Sequence, residues 1–487
     1  MLTESEQLDG QFLVSTEPKF RSGWSQLQVG SLHVSLAPLT RVLNVYGADG
    51  DQIGVLVGTP IDLEGGRVIT GRYTLPAALG EGDNIDEFVE EHIYKLSGSF
   101  LFLLSTAMHR RIYLDANGTI SLVYDRDARI AGATAAALLA GDKYKQRFRA
   151  RLYKALDVDN AGWFTGDLTA HTGINRLLCN HYLDLDTWAV TRHWPSRPLE
   201  VSSDPTLTCA RIFERVRQTI EILARTGTTS VALTAGSDSR LLLSCCRDLL
   251  GKVSFATVRA PNADIDVACA RRLATKFKLP HELLAYREAT PKQAELWKLR
   301  AGHCVGGNNV KMHPSVIPLE GRYFVGGLGG EVGRGFLWLN ARPDLPIDAK
   351  TLIGRLKLPQ DDELLRSVAA WLAPISHFDA FLILDLAYIE LRMSSWGFCD
   401  SYVKPKQQEL HPMISRANYA DMLSLPPDVR RKGHIYLQQI ERSWKEISEI
   451  PINKYGNYRD VLTPALTAIR NPKRAYRKAR QLLGARA

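Results

Sequence analysis

Paired cysteines are missing from this chain. Its seven cysteines, at 179, 209, 245, 246, 269, 304 and 399, form no C-x-x-C pair and are irregularly spaced. That argues against a disulfide framework and a zinc site; they read as reduced, mostly buried thiols of a cytoplasmic protein. No apolar run approaches the roughly 20 residues that cross a bilayer. The opening MLTESEQLDGQF is too acidic and polar for a secretory signal. Acids are absent after Asp460, whereas Arg470, Lys473, Arg474, Arg477, Lys478, Arg480 and Arg486 supply seven positive charges there. Most of the net charge of +9 therefore belongs to the tail at 461–487, and a basic pI does not describe the folded body. No nucleic-acid partner is expected. The tail reads as a solvated, frayed helix, or as a segment touching an anionic membrane or a partner protein.

A length of 487 residues calls for two or more domains, each with its own core. The most informative stretch is Thr229–Leu250, TSVALTAGSDSRLLLSCCRDLL. Ser230–Thr234 is apolar and partly β-branched, as a buried strand is. Thr234–Ser239 is small and polar. From Arg240 onward Leu242, Cys245, Cys246 and Leu249 recur at helical spacing. The pattern predicts strand, tight loop and helix, with the loop at a helix N-terminus, where orphan N–H groups and the dipole attract anions. Thr234, Ser237 and Ser239 offer hydroxyls to phosphate oxygens, and Gly236 allows close approach. Asp238 would repel a phosphate, so it makes sense as a ligand of Mg²⁺ bridging to one. A plain strand–turn–helix is the alternative. No lysine follows the glycine, so the loop is not a P-loop.

The loop Thr234-Ala235-Gly236-Ser237-Asp238-Ser239 is similar to the pyrophosphate-binding loop of the ATP pyrophosphatase family, SGGxDS. Thr234 keeps the hydroxyl of the first serine, and Ala235 replaces a glycine. The resemblance implies cleavage of ATP between its α and β phosphates and formation of an acyl-adenylate.

Around it, Thr206–Leu223 reads as an amphipathic helix, Val253–Val258 as a strand, Asp264–Phe277 as a helix and Leu283–Ala285 as a short strand. Alternating strands and helices predict a doubly wound parallel sheet whose ligands bind past the strand C-termini. The family resemblance places adenine contacts at Thr257 and Val258; Asp266, Ala270 and His281 also match its pattern, with polar capping the simpler reading of His281. Phe324–Phe336, FVGGLGGEVGRGF, is a second glycine-rich turn. It resembles the family's second motif, in which an acidic pair follows the glycines. Glu331 stands after Gly329 and Gly330 in the first acidic position, Val332 replaces the second, and Arg334 adds a cation. Asp238 and Glu331 would together hold Mg²⁺ on pyrophosphate, and Arg334 would fork onto a phosphate or a carboxylate. By resemblance Lys454 is the lysine that balances charge on the adenylate. From about 360 the chain reads as helical; Glu390 and Arg392 read as an ion pair or as residues shaping the acceptor pocket.

Residues 1 to about 145 read as mainly β. Leu32–Leu43, Gln52–Val57, Arg67–Tyr73, Gly98–Leu104 and Arg111–Tyr124 have strand patterns, the last with a hairpin turn at Asp115–Gly118. Asn84–Leu96 and Ala131–Leu139 look helical. The order, with Leu96-Ser97-Gly98-Ser99-Phe100 and Ala131-Gly132-Ala133-Thr134, resembles the glutamine amidotransferase domain ahead of the synthetase domain in asparagine synthetases. Those glutaminases use a cysteine after the initiator methionine. Here Leu2 stands in that place and the first cysteine is Cys179, so no glutaminase nucleophile is expected.

The whole resembles an asparagine synthetase-like protein of two domains, α/β and α+β. Residues 1–200 would be an N-terminal Ntn-hydrolase-like β-rich domain lacking the cysteine. Residues 201–460 would be an ATP-binding, adenine nucleotide alpha hydrolase-like parallel sheet with many helices, ahead of the basic tail. The implied activity is an ATP- and Mg²⁺-dependent carbon–nitrogen ligase acting on a carboxylic acid or saccharide, with ammonia or an amine as donor. An RNA-modifying ATP pyrophosphatase and a non-catalytic scaffold of the same fold are the alternatives.

Overall fold

A computed structural model describes residues 4–397, 400–455 and 460. Cys399 and the basic tail at 461–487 lie outside them. The fold is mixed α/β with three sheets. A six-stranded antiparallel sheet runs in the order 175–176, 123–125, 130–132, 12–15, 32–36, 25–29. An eight-stranded sheet runs 190–192, 181–184, 110–114, 97–105, 52–62, 42–46, 72–74, with 67–68 paired onto 52–62.

The alternation of side chains along Ser97–Ser105 explains how these layers stack. Leu101 and Leu103 join a core with Phe12, Val14 and Val34 of the six-stranded sheet. Phe100, Phe102 and Leu104 face the other way, onto Phe88 and Val89 of the helix Ile85–His92. That helix starts as the sequence implies, with the Asn84 side chain accepting from the amides of Asp86 and Glu87.

The expected hairpin at Asp115–Gly118 is not one. Arg110–Leu114 belongs to the eight-stranded sheet and Val123–Asp125 to the six-stranded one, so the turn carries the chain between sheets. The buried Asp115 carboxylate enforces this by accepting amides from Phe100, Asn117 and Thr119. Leu32–Leu43 likewise divides, with Leu32–Leu36 and Val42–Tyr46 in different sheets. Ala131–Leu139 is not wholly helical: Ile130–Gly132 is a strand and only Ala135–Leu138 is helix.

The third sheet is wholly parallel, in the order His281–Ala285, Val253–Arg259, Thr229–Ala232, Tyr323–Val325, Gln408–Leu410. The first three are strands that the sequence pattern predicts, and Tyr323–Val325 leads into the second glycine-rich turn. Gln408–Leu410 is not predicted; it lies in the stretch read as helical, and is too short to show a two-residue period. The order builds outward one way from the Thr229 strand, then reverses, so that the Tyr323 strand lies on its other side. Open parallel sheets form their ligand crevice at such a reversal, past the strand C-termini. Here the two loops issuing at that point are the two glycine-bearing motifs.

Candidate functional site

The Thr229–Ala232 strand leads through Leu233–Gly236 into the helix Ser237–Cys245. The helix begins three residues earlier than the apolar spacing suggests, so Ser237, Asp238 and Ser239 form its first turn. This redistributes the roles expected within the loop. The Thr234 amide donates to the Ser239 hydroxyl at 2.7 Å, and that hydroxyl donates to the Ala232 carbonyl at 3.2 Å. The Ala235 amide donates to Asp266 at 2.9 Å, and the Gly236 amide to the Thr234 hydroxyl at 3.2 Å. Thr234, Ala235 and Gly236 therefore brace the loop with their amides, and the Ser239 hydroxyl is structural. That leaves the first-turn amides of Ser237, Asp238 and Ser239, which a helix cannot pair internally.

Asp266 opens the helix Asp264–Phe277, so its bond to Ala235 ties the loop to the neighbouring βα unit. From the other side the Asn453 amide donates to the Ala235 carbonyl at 2.8 Å. Arg240, fully buried, reaches the carbonyls of Ile447 and Ile450 at 2.5 and 2.6 Å and fixes the segment that brings Asn453 there. Lys454 is thus one residue from a loop contact, with an exposed side chain.

The second loop approaches the first closely. A Cβ at Gly330 would stand 2.5 Å from Asp238 Oδ1, and one at Gly327 3.0 Å from Asp238 Cβ. Gly329 has φ +106°, which only glycine adopts freely. A single 3₁₀ turn, Val332–Arg334, follows Glu331. In a 3₁₀ turn positions three apart eclipse, so Glu331 and Arg334 share one side. Arg334 forks onto Asp238, Nη1 to Oδ1 at 2.6 Å and Nη2 to Oδ2 at 3.1 Å, and Nη1 also reaches the Ser237 hydroxyl at 2.9 Å. Burial alone would lower the Arg334 pKa, but the bonds and charge of Asp238 outweigh it and hold it above its usual value.

Glu331 differs. Its Oε2 is buried with no hydrogen-bond partner among the described residues. Burial, reinforced by the Asp238 charge, raises its pKa above the ordinary carboxylate range. Val332, where the resembled motif has its second acid, is core: it is 1% exposed, and its carbonyl accepts from the buried Arg430. Arg430 also pairs with the buried Asp385 at 2.8 Å. No signal in the sequence marks Arg430 or Arg240; each acts on a segment about 100 or 200 residues away.

Asp238, Glu331, Arg334, Ser237, Gly329 and Gly330 therefore converge. Thr257, expected at the adenine, spends its hydroxyl within the protein. Its hydroxyl donates to the Leu233 carbonyl at 2.5 Å and meets His281 Nε2 at 2.9 Å, so Thr257 and His281 brace the strand ends. Val258 lies one residue further, half-buried and paired in register with Leu284. Glu390 is not paired with Arg392. It is bound by Arg192 at 2.8 and 2.7 Å, Asn180 at 2.8 Å and Trp371 at 2.6 Å.

No protein-family model matches the chain, and no curated protein matches it. Among solved structures, the NH3-dependent NAD synthetase of Campylobacter jejuni aligns at 13% identity over 35% of this chain and 73% of its own, with a TM-score of 0.18. The NMN synthetase of Francisella tularensis aligns at 12% identity over 50% of this chain and 94% of its own, TM-score 0.18. The glutamine phosphoribosylpyrophosphate amidotransferase of Bacillus subtilis aligns at 12% identity over 67% and 72%, TM-score 0.21. Likeness at these scores carries no argument about function.

Whether the site suits Mg²⁺ is a question of donors. Two carboxylates offer hard oxygen ligands, and the Oε2 of Glu331 is buried with no hydrogen-bond partner among the described residues. Among the described residues no cluster of three or more His, Cys, Asp or Glu side chains could hold a metal. A bound Mg²⁺ would therefore complete its shell with phosphate oxygens and water, as Mg²⁺ commonly does.

Proposed function

We propose that this protein is an ATP-dependent amide-forming ligase, asparagine synthetase-like, that activates a carboxylate as its acyl-adenylate. The observation that carries the reading is the meeting of two loops at the reversal of the parallel sheet, with Asp238, Glu331 and Arg334 brought together there. In this reading the β and γ phosphates of ATP lie on the first-turn amides of Ser237, Asp238 and Ser239. Arg334 moves from Asp238 onto phosphate oxygen. Asp238 and Glu331 would hold Mg²⁺, which would supply charge neutralisation to the leaving pyrophosphate. A substrate carboxylate oxygen attacks the α-phosphorus and the bond to the β-phosphate breaks, giving acyl-adenylate and pyrophosphate. Ammonia or an amine then adds to the acyl carbon, AMP leaves and a proton is released. Lys454 balances charge at the rim. Catalysis is positioning and electrostatics, with no covalent enzyme intermediate.

The nitrogen comes from ammonia or an amine, not from glutamine cleaved within this chain. All six described cysteines are buried, and burial pushes each thiol above its usual range, the reverse of an activated nucleophile. Residues 1–200 are then a glutaminase-like, Ntn-hydrolase-like domain kept for its architecture, joined to a nucleotide-binding domain over 201–460. The substrate is a small carboxylic acid or a saccharide.

The test is incubation with Mg²⁺, ATP, carboxylic acids and either ammonium or glutamine, with nucleotide products separated. The reading requires AMP and pyrophosphate, and amide formation with ammonium or an amine but not with glutamine. ADP and phosphate, or glutamine-driven amidation, would contradict it.

A further inference from the structure

The strand Val190–Arg192 is one edge of the eight-stranded sheet and pairs antiparallel with His181–Asp184. His181 and Arg192 are partners in that register, so their side chains stand side by side on one face. Together with the helix Asp362–Leu372 they enclose a cavity of about 230 Å³. Leu178, Val190, Ala370, Trp371 and Pro374 give it an apolar wall. The Trp371 ring is fixed there by its Nε1, which donates to Glu390 at 2.6 Å. No residue lining the cavity belongs to either glycine-bearing loop.

Two polar groups interrupt that wall. The Arg192 side chain is 9% exposed and turns Nη1 and Nη2 onto Glu390 at 2.8 and 2.7 Å. Its Nε is buried with no hydrogen-bond partner among the described residues. A buried donor is costly to keep unless an acceptor arrives. His181 Nδ1 lies 3.0 Å from the Cys179 carbonyl, which can only accept. The proton of the neutral ring is therefore on Nδ1, and Nε2 keeps its lone pair. Burial, then the Arg192 charge, push the His181 pKa down to about 4, so the ring is neutral near pH 7. A donor and an acceptor thus stand on neighbouring strands at one cavity. Arg176, also in its wall, reaches the Glu390 carbonyl at 3.2 Å. A cation would be repelled by the two arginines and an anion by the buried Glu390 they hold, so the cavity suits an uncharged ligand. Its volume lies below the roughly 300 Å³ at which pockets for drug-sized molecules begin, which fits one ring or two.

We propose that this cavity binds an uncharged lactam heterocycle, whose carbonyl accepts from Arg192 Nε and whose adjacent N–H donates to His181 Nε2, with the ring against Trp371. A lactam edge presents an acceptor beside a donor, the complement of the Arg192 and His181 pair. An apolar wall with a few placed polar groups is the usual build of a small-molecule site. The site is separate from the two loops, and the inference does not depend on the ligase reading.

The test is calorimetry on the full chain with 2-pyridone and uracil, against N-methyl-2-pyridone and 1,3-dimethyluracil, which keep the carbonyl and lack the N–H. At least one lactam should bind about 10-fold more tightly than its methylated form, as the loss of one buried hydrogen bond predicts. His181→Phe keeps a ring and removes the acceptor, so it should erase that difference. Val190→Trp, at an edge position 38% exposed, should fill the cavity and abolish binding while the urea midpoint stays at the parent value. Saturation with Mg²⁺ and the α,β-methylene analogue of ATP should leave lactam affinity unchanged. Failure of both lactams to bind, equal binding of the methylated forms, or binding that survives Val190→Trp overturns the inference. Displacement of the lactam by the ATP analogue overturns it as well, because the ring would then sit at the loops.

Discussion

Both terminal nitrogens of Arg334 rest on the carboxylate of Asp238, at 2.6 and 3.1 Å. Arg334 thus neutralises the acid proposed to hold the metal. In the proposed function, nucleotide binding would exchange that contact for two others, guanidinium to phosphate and carboxylate to Mg²⁺. Arg334→Lys keeps the charge and loses the fork. It should lower kcat/KM by about 10²-fold or more, as removal of one preorganised donor typically does. Asp238→Ala should abolish turnover outright. Steady-state pyrophosphate release checks both, and unchanged activity in Asp238→Ala would remove that residue from the mechanism.

Glu331 is a half-buried acid whose Oε2 is buried and unpaired among the described residues, so it should cost stability. Its folded-state pKa lies above the ordinary 4.5 because of burial and the Asp238 charge. At pH above that unfolded value the folded protein holds the proton more tightly than the unfolded chain. Stability is therefore lost as pH rises through the window up to the folded pKa. Glu331→Gln should match the parent below about pH 4 and exceed it at pH 8 by about 1–3 kcal/mol. It should also be inactive. Urea unfolding at the two pH values, without metal, checks this; a less stable glutamine variant at pH 8 would refute the assignment.

Gly330→Ala is a steric probe of the same contact. The new Cβ would stand 2.5 Å from Asp238 Oδ1, which Arg334 holds in place. The carboxylate must move, so nucleotide affinity should fall while the fold persists, read by calorimetry together with circular dichroism. Gly354→Ala, whose Cβ meets nothing within 4 Å, is the neutral control.

Arg430 links the second loop to the helical layer through the Val332 carbonyl and Asp385. Arg430→Met breaks a buried pair in which each side chain is 3% exposed. Removing one partner of such a pair costs about 3–5 kcal/mol, because the other charge is left uncompensated. Chemical unfolding should show that loss. The double variant Arg430→Met, Asp385→Leu should recover much of it, since the stranded carboxylate is gone.

The two loops were legible in the sequence because each couples local signals: an apolar strand, glycines needed for close approach, and an acid that has no business in a solvated turn. The strand at Val253 and the helix Asp264–Phe277 were legible for the same reason, by period. What sequence did not reveal was the partner of each polar group. Ser237 and Ser239 stand two residues apart with identical chemistry, yet the first lies against Arg334 and the second locks the strand end. That division follows from where the helix begins, and helix starts blur when capping is done by backbone and glycine. Glu390 found Arg192, nearly 200 residues away in sequence, over its neighbour Arg392. The short Gln408–Leu410 strand joined the sheet through register with Tyr323–Val325, a tertiary fact with no local trace.

The central claim is that this site cleaves ATP between the α and β phosphates under the charge of Asp238, Glu331 and Arg334. Exchange of labelled pyrophosphate into ATP, measured with Mg²⁺ and a range of carboxylic acids and without any amine, tests it most directly. The account expects exchange that depends on the acid and vanishes in Asp238→Ala. ATP that binds but exchanges no pyrophosphate with any acid, or exchange that survives Asp238→Ala, would contradict it.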